Sequence, residues 1–134
     1  MVLRGGHNGP NYDRDSVSEC ERALAAAGLT SNIMIDCSHA NSGKDPQRQL
    51  VVARDAAAQI QHGNRSIMGL MLESNINAGN QKLTKDPRQL AYGVSVTDPC
   101  LDWLTTAALL RELADGLRDT LPQRARLAAS ADAA

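Results

Sequence analysis

Aromatic residues are almost missing from this chain of 134 residues: it has no Phe, one Trp and two Tyr. Its apolar mass must come from Ala, Leu, Ile, Val and Met, and a core of such side chains removes less area from water per residue, so the isolated chain is expected to be marginally stable. Cysteine is also sparse. Cys20, Cys37 and Cys100 are odd in number and widely spaced, with no CxxC pair, which argues against a disulfide framework or a zinc knuckle. Charge of one sign is missing too. Fourteen basic and fifteen acidic residues give a formal net charge of -1, which speaks against nucleic acid or an anionic membrane as partner. No apolar run is long enough for a membrane span, and no charged-then-apolar segment opens the chain, so the cytoplasm is the expected compartment.

What the chain does have is one pattern, repeated. A short apolar run ends abruptly in chemically capable residues. Val2-Leu3 leads into Arg4-Gly5-Gly6, Ile33 to Ile35 leads into Ser38-His39-Ala40-Asn41, and Ile67 to Leu72 leads into Glu73-Ser74-Asn75. Helical patterns lie between. Ser16 with Glu19 fits a capping box, followed by a face of Val17, Cys20, Leu24 and Ala27, with Gly28 as the stop. Residues 33–37 read as a strand and 38–45 as a loop. Asp45 and Pro46 open a second helix whose stripe is Leu50, Ala53, Ala57 and Ile60, ended by Gly63. Residues 66–72, apolar almost throughout, read as a strand covered on both faces. A long polar connection then runs from Glu73 to about Leu101, a length that is usually functional. Asp102 should cap a last helix with a stripe of Leu110, Leu113 and Leu117, flanked by Leu109 and Ala114. Alternation of this kind specifies α/β architecture with parallel strands.

Three positions stand together chemically. His39 and Glu73 occupy equivalent places at the ends of successive strands, which lie about 4.8 Å apart when paired. Asp98, from the long connection, can fold back over the strand ends. An imidazole and two carboxylates suit a divalent ion such as Mn, Fe, Co or Zn. Arg4 ends the remaining strand, where its planar fork suits a phosphate or carboxylate, and Gly5-Gly6 permit close backbone approach. Each residue has an ordinary reading as well. A histidine after a strand is more often a hydrogen-bonded structural residue, Glu73 can be a solvated loop residue, Asp98 before Pro99 can start a turn, and Arg4 can be surface decoration. Cys37 shares a face with His39, but a buried, inert thiol is its commoner state. His7 and His62 have no evident partners.

At these residues a family resemblance emerges. Leu3-Arg4-Gly5-Gly6, Pro10-Asn11-Tyr12, Met34 to Ser42, Gly69 to Ser74, Gly79-Asn80-Gln81, Leu90-Ala91-Tyr92-Gly93, Ser95 to Asp98 and Cys100 resemble the C-terminal part of class I 3-deoxy-D-arabino-heptulosonate 7-phosphate (DAHP) synthase. The motifs follow one another in the right order over nearly the whole chain up to its last helix. The resemblance implies the last three βα units of a (β/α)8 TIM barrel, an incomplete barrel over residues 1–120, with 121–134 as a disordered tail. It implies a transferase joining phosphoenolpyruvate to erythrose 4-phosphate, the first step of the shikimate pathway. His39, Glu73 and Asp98 match three of the family's four metal ligands. His39 also matches the family's phosphoenolpyruvate contact and catalytic histidine, and Arg4 matches an arginine that binds the phosphate of phosphoenolpyruvate.

The departures are as informative. Nothing here matches the family's metal-binding cysteine, which belongs to the first barrel unit, and Cys37 is not its counterpart. The lysines and further arginines that grip both substrates, and the regulatory N-terminal extension, have no counterpart either. The chain is therefore expected to be inactive alone and to act as a homo-oligomer or with an N-terminal half of the barrel. The alternatives are a non-catalytic remnant that binds metal or phosphate, a subunit completing a split barrel, or an unrelated small open α/β enzyme.

Overall fold

The computed structural model describes residues 1–131. Its sheet has three parallel strands in chain order, β1 (Val2–Leu3), β2 (Ile33–Asp36) and β3 (Ile67–Met71). Helix α1 (Arg14–Ala26) joins β1 to β2. A short helix α2 (His39–Ser42), a 3-10 turn (Pro46–Arg48) and α3 (Gln49–Gln61) join β2 to β3. After the long connection come α4 (Trp103–Leu117) and α5 (Thr120–Ala131). Leu3 pairs with Ile35, and Asp36 with Met71, so the three C-terminal strand ends lie level with one another.

The register assigns the strand faces. Leu3, Ile33, Ile35 and Ile67 point into a core shared with Val17 and Leu24 of α1, Val52, Ala53, Ala56 and Ile60 of α3, and Leu109 and Leu113 of α4. Val2, Met34 and Met71 lie on the opposite face and remain exposed. A bulge between Ile33 and Met34 leaves Met68 as the extra residue of β3, 62% exposed. Residues 66–72 therefore do not form the strand covered on both faces that their composition led us to expect. Helices α1, α3 and α4 lie over one face, and among the described residues the apolar side chains on the other face are without cover.

Several local expectations change for identifiable reasons. Asp13, not Ser16, caps α1: its carboxylate accepts from the Ser16 amide at 3.0 Å and from the Ser16 hydroxyl at 2.7 Å. Ala27 is the exposed C-cap and not part of the buried face. Residues 38–45 contain the short helix α2 where a plain loop was expected. The buried stripe of α4 includes Leu113 and Leu117 as expected, but with Thr106 and Leu109 in place of Leu110, which is 50% exposed. Asp45 and Asp102 cap as the sequence indicated, accepting from the Gln47 and Thr105 amides.

The C-terminal segment also differs from the disordered tail expected over 121–134. Through Ala131 it is helical, and Pro122 falls in the first turn of α5, where a missing amide hydrogen costs nothing. Residues 132–134 lie outside the described residues. Arg124 anchors the helix to β3. Its guanidinium donates to the carbonyls of Ile67 at 2.8 Å and Arg65 at 2.5 Å. The intervening Ser66 carbonyl accepts from Ile33 of β2, so by alternation Arg65 and Ile67 present theirs on the outer edge. Arg124 thus satisfies two carbonyls on the open side of an edge strand.

Candidate metal centre at the strand ends

His39, Glu73 and Asp98 converge. Each offers one ligand-type atom, and these atoms lie within 4.8 Å of one another. His39 enters from the start of α2, three residues beyond β2. Its backbone is in the left-handed region with φ 47°, an uncommon place for a non-glycine residue. Its Nδ1 lies 2.7 Å from Asp36 Oδ2, while its Nε2 is 3.6 Å from Glu73 Oε1, beyond hydrogen-bond reach.

Glu73 is positioned through its backbone. The Gln49 side chain, fully buried, accepts from the Glu73 amide at 2.8 Å and donates to the Glu73 carbonyl at 3.1 Å. Leu101 also donates to that carbonyl, at 3.0 Å, which ties the returning connection to the strand end. Asp98 sits on this return, next to Pro99 and the buried Cys100, whose thiol donates to the Asp98 carbonyl at 3.4 Å. The long connection is held by ladder-like contacts, with Gly79 paired to Cys100 and Asn80 to Ser95.

The cluster is electrostatically acidic. Burial and then the Asp98 charge push the Glu73 carboxyl above its ordinary value, and His39 offsets this only in part. Glu73 Oε2 is buried and has no hydrogen-bond partner among the described residues. An orphaned carboxylate oxygen, two acids in repulsion and an imidazole nitrogen make a donor set that fits a divalent ion.

Arg4 directly follows β1, level with Asp36, and its side chain is exposed. Among the described residues its guanidinium has no ion pair or hydrogen bond. The loop beyond it is pinned by Asn41, a buried residue that sequence reasoning missed as a positioning group. Its amide donates to the carbonyls of Leu3 at 3.0 Å and Asp36 at 2.8 Å, and its oxygen accepts from the Asn11 amide at 2.8 Å. Gly5 packs so closely on α2 that an added Cβ would meet Ala40 Cβ at 2.7 Å, which explains the glycine. Asp36 and Gln49 were also missed. Cys37 is drawn away from the site: it is fully buried in the core, and burial with the neighbouring Asp36 charge pushes its thiol up to about 12.

Fold and site together define a parallel α/β protein with a candidate metal centre at the carboxyl ends of its strands. The chain belongs to the DAHP synthetase I family, whose model matches residues 1–111. It is 52% identical over 124 residues to a Tyr-sensitive phospho-2-dehydro-3-deoxyheptonate aldolase of Enterobacter agglomerans, covering 92% of this chain and 58% of that protein. The Tyr-sensitive enzyme of that name from Escherichia coli is 50% identical, over 92% of this chain and 35% of its own length. A solved phospho-2-dehydro-3-deoxyheptonate aldolase from Francisella tularensis superposes with a TM-score of 0.81 at 45% identity, covering 87% of this chain and 33% of that one. The chain thus spans less than two thirds of the length of each of these relatives.

Proposed function

We propose that this chain carries the phosphoenolpyruvate- and metal-binding end of a DAHP synthase, the enzyme that condenses phosphoenolpyruvate with erythrose 4-phosphate and releases phosphate. The observation that carries the reading is the convergence of His39, Glu73 and Asp98 at the ends of adjacent parallel strands. In this reading those three residues hold a divalent ion: Mn, Fe, Co or Zn. When bound, such an ion supplies Lewis-acid polarisation of the aldehyde carbonyl. Arg4, exposed and without an ion pair among the described residues, takes the phosphoryl group of phosphoenolpyruvate through its guanidinium fork. His39 serves both as ligand and as a contact to phosphoenolpyruvate. Gln49 and Asn41 fix the backbone that carries these groups, so little ordering is left for binding to accomplish.

The finer architecture belongs to the same proposal. Residues 1–120 form the last three βα units of a TIM barrel, whose interior is normally filled by inward side chains from all its strands. The exposure of Val2, Met34, Met68 and Met71 supports that placement, since these residues lack the opposing wall. It also favours a specific refinement, in which the chain works only when its barrel is completed by an N-terminal half or a further copy. No helix among the described residues is long and apolar enough to cross a membrane.

Phosphate release from phosphoenolpyruvate, followed with Mn and with or without erythrose 4-phosphate, tests the function. Release that needs both erythrose 4-phosphate and His39 supports it, and release untouched by His39→Ala contradicts it. Release appearing only after addition of the N-terminal part of a relative supports the completed barrel.

A further inference from the structure

Asp36 is a buried acid that the proposed reaction leaves without a role. It ends β2 and is 1% exposed. A carboxylate so placed is costly unless its oxygens are satisfied. Oδ1 accepts from the Ser38 amide at 2.9 Å, and Oδ2 lies 2.7 Å from His39 Nδ1. An ionised carboxylate can only accept, so the hydrogen in the second contact belongs to Nδ1. A neutral imidazole carries one such hydrogen. Nε2 is therefore left with its lone pair, and Nε2 is the nitrogen that faces Glu73.

The backbone agrees. The Ser38 contact closes a turn over two residues, and it is this turn that delivers His39 at φ 47°. Asn41 holds the Asp36 carbonyl from below, and Gly5 seats Ala40 from the side. One residue thus fixes both the ring orientation of His39 and the nitrogen that carries its hydrogen. We propose that Asp36 is a positioning residue for the metal centre: it locks His39 in the Nδ1–H tautomer and so presents Nε2 as the ligand atom. The ligand half of this statement rests on the reading of His39 as a metal ligand; the tautomer half does not.

Asp36→Asn tests the assignment through its new side chain. It has nearly the shape of aspartate but a single acceptor oxygen. With that oxygen on the Ser38 amide, its NH2 faces Nδ1, which must then accept, and the ring hydrogen moves to Nε2. The test uses the whole chain, metal-free and labelled with 15N-histidine, at a pH where the imidazole is neutral. Long-range 1H–15N spectra, assigned with His39→Ala, report the tautomer, and calorimetric titration with Mn alone reports affinity. The expected result is Nδ1–H in the wild type, loss of that tautomer in Asp36→Asn, and Mn binding weakened roughly ten- to a hundredfold. A merely structural Asp36 would lower the melting temperature of Asp36→Asn and leave the tautomer in place, which would overturn the proposal. Should Asp36→Asn not fold, the wild-type spectrum decides alone, because an Nε2–H ring there is incompatible with the assignment. Wild-type chain that shows the Nδ1–H ring but binds no Mn would refute the ligand half and leave the tautomer half standing.

Discussion

On one face of the sheet Leu3, Ile33, Ile35 and Ile67 are buried under three helices; on the other, Val2, Met34 and Met71 remain 49%, 39% and 38% exposed. The two sets alternate along the same strands, so strand composition does not separate them. What separates them is what lies opposite. Helices α1, α3 and α4 supply a core for the first face, and among the described residues nothing covers the second. The candidate centre sits where both faces end, at the top of the strands. Its order comes from the covered face and from polar clamps: Gln49 on the Glu73 backbone, Asn41 on β1 and β2, Asp36 on His39. A site can therefore be well positioned on a sheet with one exposed apolar face.

Substitution at neighbouring strand positions breaks the comparison most directly. Ile35→Ala opens a cavity in the covered face and should cost about 3 kcal/mol. Met34→Ala, one residue away on the other face, should stay within about 0.5 kcal/mol. Urea denaturation of both variants checks this, and equal losses would mean that the second face is covered in solution. The clamps come next. Gln49→Leu removes both bonds to Glu73 and leaves its backbone amide without the Gln49 acceptor, while the carbonyl keeps the Leu101 amide, for about 2 kcal/mol of stability. The loss should be accompanied by weaker Mn binding, measured by titration.

Helix capping gives a smaller effect with a defined pH sign. The Ser16 amide and then its hydroxyl hold the Asp13 carboxyl below its ordinary value of 3.8. A carboxyl whose folded value is depressed stabilises the fold above the unfolded value, and that contribution is lost as pH falls through the folded one. Asp13→Ala should cost about 1 kcal/mol at neutral pH. Below the folded value the difference between variant and wild type should vanish, as thermal melts across acid pH would show. The smallest effect is chemical. Cys37, with its thiol pushed up to about 12 in the covered core, should resist thiol reagents at neutral pH until the chain unfolds, whereas the half-buried Cys20 reacts first. Peptide mapping after brief alkylation distinguishes the two.

The strand–helix alternation was legible because each strand is a short apolar run ending in Arg4, in the His39 segment or in Glu73. The convergence of His39, Glu73 and Asp98 followed from strand spacing and from the length of the connection. The positioning groups were not legible. Gln49 and Asn41 look like solvated residues in sequence, and their partners are backbone groups 24 and 38 positions away. Asp36 ends an apolar run like any strand-terminal acid, and only the turn to His39 gives it a purpose. The α4 stripe was misjudged because Leu109 and Leu110 are adjacent, so periodicity alone permits either to face inward. The helix through Ala131 was hidden by Pro122, which reads as a terminator but stands in a first turn. The exposed face was invisible for a deeper reason: Val2, Met34 and Met71 are as apolar as the strand residues buried under the helices.

We propose that the strand ends carry a preformed divalent-metal centre beside an exposed apolar face. Electron paramagnetic resonance titration of Mn into the purified chain, compared with His39→Ala, tests it most directly. The account predicts one bound Mn per wild-type chain, lost in a His39→Ala variant that remains folded. Equal Mn binding by both proteins, or none by a folded wild type, would contradict it.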